Sequence, residues 1–313
     1  MESRRLGSAG PTVSVVGLGC NNFGMKLDQR QTTAVVHAAL DAGITHFDTA
    51  ESYGGGQSEV FLGKALGGRR ESVVVATKVK DRPEGESYRP GVLRKRILEG
   101  CDISLSRLGT DYIDLYYHHH PDPEAPVEEA LEALLEVKAS GKALHIACSN
   151  YGPTLIEEAV AVAERLDSPG FVADQIHWNL LAREVEKETV PALRKHGLGI
   201  VPFFPLASGL LTGKYVEGKD WPEDSRLAAL PRFASVASED NLARVEKLSA
   251  FADKQGHSLL ELAFGWLLSQ EGVASAIAGA TTPEQVATNV QAGGAWRLSE
   301  EELAAVSEAA PAD

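Results

Sequence analysis

Several polar side chains stand where short apolar runs end, and their types could do chemistry together. Asp48 closes the run Ile44–Phe47, Tyr53 stands five residues later, and Lys78 follows Val73–Ala76 after Thr77. A phenol near its ordinary pKa of about 10 is a poor proton donor at neutral pH. An ammonium beside it favours the phenolate and lowers that pKa. Lys78 offers the ammonium, Tyr53 the phenol, and Asp48 a carboxylate able to hold Lys78 charged in a partly desolvated site. The plainer alternative is a buried Asp48–Lys78 ion pair beside a loop aromatic, because structural pairs also perturb titrations. The other runs end in the same way. His118-His119-His120 follow Tyr112–Tyr116, Ser149-Asn150 follow Ala143–Ala147, and Gln175 follows Val172–Asp174. Pro205 to Gly209 follow Gly199–Phe203, and Gly279 to Thr282 follow Val273–Ile277.

These residues need elements that bring them to one place. With Val13–Leu18, the apolar runs number eight, each nearly continuous, as strands buried on both faces are. Helical patterns lie between them: Thr32–Ala42, Arg89–Leu108, Val127–Ser140, Thr154–Leu166, Glu184–His196, Glu239–Gln255 and Ser299–Ala309. Gly43, Gly109, Gly141, Gly197 and Gly256 stand near or just past helix ends, where a left-handed stop is needed. Strand–helix alternation implies a parallel sheet with right-handed crossovers. Eight units in this length predict one (β/α)₈ TIM barrel over residues 1–313, whose strand ends meet at one mouth. The competing open sheet would carry G-x-G-x-x-G after its first strand. Here that place reads Gly17-Leu18-Gly19-Cys20-Asn21-Asn22, without the third glycine.

Composition narrows the classes. Thirty Lys and Arg against 44 Asp and Glu give a formal net charge of −14. That argues against binding nucleic acid or an anionic membrane surface, and allows a small phosphorylated ligand in a local pocket. Three cysteines, none in a C-x-x-C pair, argue against a disulfide framework or a structural zinc site. No apolar run reaches membrane-spanning length and no signal-peptide pattern opens the chain, so a cytoplasmic protein is expected.

The residues also carry a resemblance. Gly43-Ile44-Thr45-His46-Phe47-Asp48-Thr49-Ala50 with Tyr53-Gly54, then Ala76-Thr77-Lys78, then Asp111 to Tyr116, resemble the aldo-keto reductases. So do Gly141-Lys142 through Asn150, Pro205 to Lys214, and Pro283 through Asn289. The likeness spans nearly the whole chain and is greatest to the bacterial and potassium-channel-β-subunit-like branches, through Gly213-Lys214-Tyr215.

That resemblance implies a barrel with an N-terminal β-hairpin and a long loop after the seventh strand. It implies an oxidoreductase passing a hydride between a nicotinamide cofactor and a carbonyl or sugar substrate, with NADP(H) preferred, NAD(H) admitted and no metal. The catalytic set becomes Asp48, Tyr53, Lys78 and His119, with Tyr53 as general acid and His119 chosen by its place two before Pro121. Zinc on the three histidines is the rejected alternative, since successive strand residues diverge. The implied cofactor contacts are Cys20, Asn21, Asp48, Ser149, Asn150, Gln175 and Trp178. They continue with Pro205, Leu206, Ser208, Gly209, Lys214, Arg226, Gly279, Thr281, Gln285 and Asn289. Trp178 is either a stacking face or core. Phe23, Tyr53, His119, His120 and Trp221 are expected around the substrate. Relatives often carry arginine where His120 stands, and many carry it where Gln285 stands. Two alternatives remain open: the same site run as an alcohol or aldose dehydrogenase, and a non-catalytic subunit that binds cofactor and senses redox state. Oligomeric state is not readable from the sequence.

Overall fold

A computed structural model describes residues 1–80, 85, 87–214 and 236–311. Eight parallel strands close into a barrel: β3 (Val16–Gly19), β4 (His46–Asp48), β5 (Val74–Val79), β6 (Ile113–His118), β7 (Ala143–Ser149), β8 (Ala173–His177), β9 (Gly199–Phe203) and β10 (Ala276–Gly279). β10 pairs with both β9 and β3 and completes the ring. Helices surround it: α1 (Gln29–Asp41), α2 (Gln57–Leu66), α3 (Val92–Leu108), α4 (Val127–Ala139), α5 (Pro153–Arg165) and α6 (Thr189–Lys195). After them come α7 (Glu239–Lys254), α8 (Leu259–Leu268), α9 (Pro283–Ala295) and α10 (Glu300–Ala309). The expected (β/α)₈ barrel is the observed one.

The expected first strand, Val13–Leu18, is two elements. β1 (Ser3–Arg5) and β2 (Thr12–Ser14) form an antiparallel hairpin, and the barrel begins only at Val16. Ser14 marks the break: its Oγ donates to Val16 O, and its N–H donates to Thr45 Oγ1 rather than into the barrel ladder. Leu6 and Val13 of this hairpin pack with Leu115, Tyr117, Ala173 and Val201 inside the barrel, so the hairpin closes its N-terminal end. The last run also shifts. Val273 makes one bridge to Ile200, and the strand proper is Ala276–Gly279.

Helix ends follow local chemistry. Asp28 caps α1 in a capping box with Gln31, which starts the helix before Thr32. The pattern Glu184–His196 divides into a short 3₁₀ turn and α6, because Arg183 pins Glu186 through two hydrogen bonds and Pro191 follows. α8 is buried on nearly every side, which removes the amphipathic period by which a helix is read.

Strand alternation places the site. Ala76, Leu115, Tyr117 and Ala173 fill the barrel interior. Two residues on, with the same facing, come Lys78 and Gln175, and Asp48 stands beside them across β4–β5. The packed interior is therefore the floor under the polar strand ends.

Candidate active site

Lys78 is completely buried and fully engaged. Its Nζ donates to Asp48 Oδ1 at 2.6 Å and to Thr49 O at 2.8 Å. Gln175 Nε2 donates to the other Asp48 oxygen at 2.8 Å. Burial opposes the Lys78 charge, but the Asp48 carboxylate and the neighbouring phenol outweigh it and hold the ammonium above its usual range. Its nitrogen lies 5.4 Å from the Tyr53 ring centre. Burial raises the Tyr53 pKa; the Lys78 charge and hydrogen bond pull it down without overcoming that rise. The expectation of a lowered phenol pKa is thus reversed in the protein alone, because desolvation outweighs the ammonium.

The histidines separate into three roles. His118, the last residue of β6, is buried, and its Nδ1 meets Tyr151 Oη at 2.8 Å. Burial pushes its pKa down to about 4. His119 lies edge-on to Tyr53 with ring centres 6.0 Å apart. Burial, then Lys78 and the flanking histidines, drive its pKa down to about 2, so the imidazole is neutral. His120 does not face away from it, as continued alternation would require. The strand stops at His118, and the next two rings stack at 4.6 Å and 14°. Asn150, with φ of 61°, holds this corner: its Nδ2 donates to His119 O and Ser149 Oγ and lies 3.1 Å from His120 Nδ1.

A cavity of about 600 Å³ opens over this set. At one end it is lined by Asp48, Tyr53, His119, His120, Ser149, Asn150 and Gln175. Asn21, Pro205, Leu206, Ser208, Gly209 and Lys214 line its middle. Gly279, Thr281, Gln285 and Asn289 line the far end, beside the N-terminus of α9. The backbone after β9 is strained toward the cavity. Phe204, Ala207 and Ser208 all have positive φ, from 44° to 58°, without being glycine. Such conformations cost about 1–3 kcal/mol each and concentrate at ligand clamps. Thr282 caps α9 by accepting from Gln285 N–H, and Gln285 Oε1 accepts from Thr281 N–H at 2.8 Å and Thr281 Oγ1 at 3.1 Å. The side-chain NH₂ of Gln285 is left as the donor. A cavity that combines apolar walls with a helix N-terminus and a twisted backbone strip can take a phosphate-bearing dinucleotide.

Three expected contacts lie elsewhere. Trp178 is not a cavity wall. It is buried against Trp266, with ring centres 5.6 Å apart, and its Nε1 donates to Glu186 at 2.9 Å. β8 has ended at His177, so closeness in sequence to Gln175 does not carry the indole to the same face. Cys20 lies behind the wall: its N–H donates to Asp48 O, its carbonyl accepts from Ser58, and burial pushes its thiol pKa well up. Phe23 is fully buried in the core and does not line this cavity. Arg226 and Trp221, with most of the expected long loop, fall outside the described residues.

The aromatic surface at the cavity is Phe203 and Phe204, which sequence reasoning missed. Their signal was the pair of rings directly before Pro205. Asn22, Lys26, Thr212, Leu260 and Thr288 also line the cavity. Among the described residues, no cluster of three or more His, Cys, Asp or Glu could hold a metal, and no helix is long and apolar enough to cross a membrane.

Known proteins resemble this chain in sequence. A family profile described as "Aldo/keto reductase family" matches residues 15–311. A probable voltage-gated potassium channel subunit beta of Oryza sativa subsp. japonica is 40% identical over 301 residues, 93% of this chain and 91% of the relative. An L-glyceraldehyde 3-phosphate reductase of Escherichia coli O157:H7 is 35% identical over 324 aligned positions, 98% of this chain and 92% of the relative. The match spans the barrel and every strand end that lines the cavity, and the chain belongs to the aldo/keto reductase family.

Proposed function

We propose that this chain is an NAD(P)H-dependent oxidoreductase that reduces aldehydes and ketones to alcohols, with NADPH preferred and Tyr53 as the general acid. The observation that carries this reading is the convergence of Tyr53, the buried Asp48–Lys78 pair and neutral His119 at one end of a dinucleotide-sized trough. The reductase relative supports an oxidoreductase. The channel-subunit relative supports a second reading, a cofactor-binding accessory protein, but such a role does not require these four groups together.

When bound, the reduced cofactor supplies the hydride to the carbonyl carbon. Tyr53 gives its proton to the carbonyl oxygen. Lys78 stabilises the phenolate left behind, and Asp48, held by Gln175, keeps the ammonium charged and fixed. His119, neutral, donates one N–H to the same oxygen and orients it. Ser149 and Asn150 offer polar groups to the carboxamide of the nicotinamide; Phe203 and Phe204 supply an apolar face. Lys214 and the strip at Ser208-Gly209 meet the diphosphate. Thr281, Gln285 and Asn289 receive the adenosine end, where the α9 N-terminus favours a 2′-phosphate.

A panel of aldehydes, ketones, sugars and alcohols, assayed with each cofactor in both directions, tests this. Carbonyl-dependent NADPH oxidation is expected. Tight NADPH binding without turnover across the panel would support the accessory-protein reading instead.

A further inference from the structure

The backbone strip after β9 is held from a second loop. Phe204, Ala207 and Ser208 take left-handed backbone at φ of 53°, 44° and 58°, a region that residues with a Cβ resist. Such a run persists only where surrounding bonds over-determine it. Part of the hold is local: Ala207 N–H donates to Phe204 O at 3.0 Å, and Gly209 N–H donates to Leu206 O at 2.7 Å. Another part comes from the loop after β8, where Asn179 Nδ2 donates to the same Phe204 carbonyl at 2.9 Å.

Asn179 is set up for that reach. It is buried and does not line the cavity. Its backbone closes a turn with Ala182, donating to Ala182 O at 3.2 Å and accepting from Ala182 N–H at 3.1 Å. Its Oδ1 accepts from Leu181 N–H at 2.9 Å, so the amide is fixed with its oxygen on the turn and its nitrogen on Phe204 O. The turn is clamped in its own right: Arg183, directly after it, donates to Glu186 and, at 2.8 Å, to Ala310 O at the end of α10. Phe204 O is therefore tied to a bracketed turn. From that carbonyl the chain runs through Pro205 and Leu206 to Ser208 and Gly209, which line the cavity.

We propose that Asn179 is a positioning residue for the cofactor diphosphate: by holding Phe204 O it keeps residues 204–209 in the left-handed shape that turns Ser208 and Gly209 to the cavity. This rests on the reading above that Ser208 and Gly209 meet a diphosphate. Without the bond, the strip relaxes in the free protein and must be re-ordered when the cofactor binds. Affinity is reduced by the fraction of molecules no longer in the competent shape. The loss is that of one net hydrogen bond, about tenfold.

The test titrates NADPH by tryptophan fluorescence quenching. Asn179→Ser keeps an oxygen that can accept from Leu181 N–H, as turn serines do, but is too short to reach Phe204 O. The NADPH dissociation constant is expected to rise about tenfold in Asn179→Ser. Asn179→Leu fills the same space without a donor; the same rise is expected there, and it replaces the serine variant if that one does not fold. Ala207→Gly, off the cavity lining, relieves one left-handed position, because glycine adopts positive φ without penalty. Added to Asn179→Ser, it is expected to bring the dissociation constant back to within about threefold of the unmodified chain. Damage confined to the turn closed by Asn179 and Ala182 would not respond to a glycine in the other loop. Unchanged affinity in Asn179→Ser overturns the proposal, and so does a loss that Ala207→Gly does not relieve. An unmodified chain that does not bind NADPH removes the cofactor reading of the cavity, and this inference with it.

Discussion

In the proposed reaction His119 acts uncharged. An imidazole that titrated near 6.5 would repel the Lys78 ammonium whenever protonated; burial and that same ammonium prevent it. With its pKa lowered to about 2, the ring stays a neutral donor through the acid range. In an NMR titration, with His119→Asn to assign the resonance, the His119 ring signal is expected to stay flat from pH 8 to 4.5; an inflection near 6.5 would contradict this. Gln285 makes a second residue-scale case. Its carbonyl is occupied by Thr281, so its neutral NH₂ is the donor left for the proposed 2′-phosphate site. Gln285→Arg is expected to tighten NADPH by about 1–2 kcal/mol and leave NADH nearly unchanged, as read by fluorescence quenching. Equal changes for both cofactors would misplace the adenosine pocket. The four proposed catalytic residues and most of the trough were legible in the sequence, because strand ends of a barrel share one mouth. Trp178, left open between a stacking face and core, proved to be core; one residue past a strand the alternating rule no longer says where a side chain points. Phe203 closed an apolar run and Phe204 stood between that run and Pro205, so neither read as a polar strand end.

The segment Thr49–Gly56 is the element that carries Tyr53, the proposed proton donor. Two buried carboxylates knit it to the strand that carries Lys78. Glu59 accepts from Thr77 Oγ1 at 2.6 Å and pairs with Arg107 at 3.3 Å; Arg107 also donates to Glu51 O. Glu51 accepts from Lys80 N–H at 2.7 Å and pairs with Arg96. Removing one partner of a buried pair leaves the other charge uncompensated. Arg107→Ala is expected to cost about 3 kcal/mol in urea unfolding and to lower kcat, since Tyr53 loses its anchorage. Gly56 adds a steric requirement: its φ is +92°, and a Cβ there would lie 2.5 Å from Arg107 Cζ. Gly56→Ala is therefore expected to lower kcat as well; wild-type kcat and stability in both variants would detach this network from the site. At this scale the sequence marked helix stops well, through their glycines. It could not show the hairpin break at Ser14, which depends on a side-chain bond across to Thr45. Nor could it show α8, whose uniformly buried surface has no period.

Buried neutral histidines tie the stability of the whole molecule to pH. His46 lies inside the barrel, its Nδ1 3.0 Å from Ser275 Oγ, and burial pushes its pKa down to about 4. The unfolded chain takes up this proton near pH 6.5, whereas the folded chain resists until about 4. The His46 contribution is therefore complete above 6.5 and is lost as pH falls toward 4, reaching about 2 kcal/mol at pH 5. The loss of urea-unfolding free energy between pH 7 and pH 5 is expected to be smaller in His46→Gln than in the unmodified chain; an identical loss would contradict this. The barrel also organises the chemistry globally, with a packed interior as floor, a hairpin closing one end, and the strand ends holding a single trough at the other. The central claim is that Tyr53 protonates a carbonyl in that trough. Its most direct test is single turnover of NADPH-loaded protein with an aldehyde, comparing the unmodified chain with Tyr53→Phe while NADPH affinity is titrated in both. The expected result is a rate at least about 100-fold slower in Tyr53→Phe with NADPH affinity nearly unchanged; a near-unmodified rate would contradict the claim.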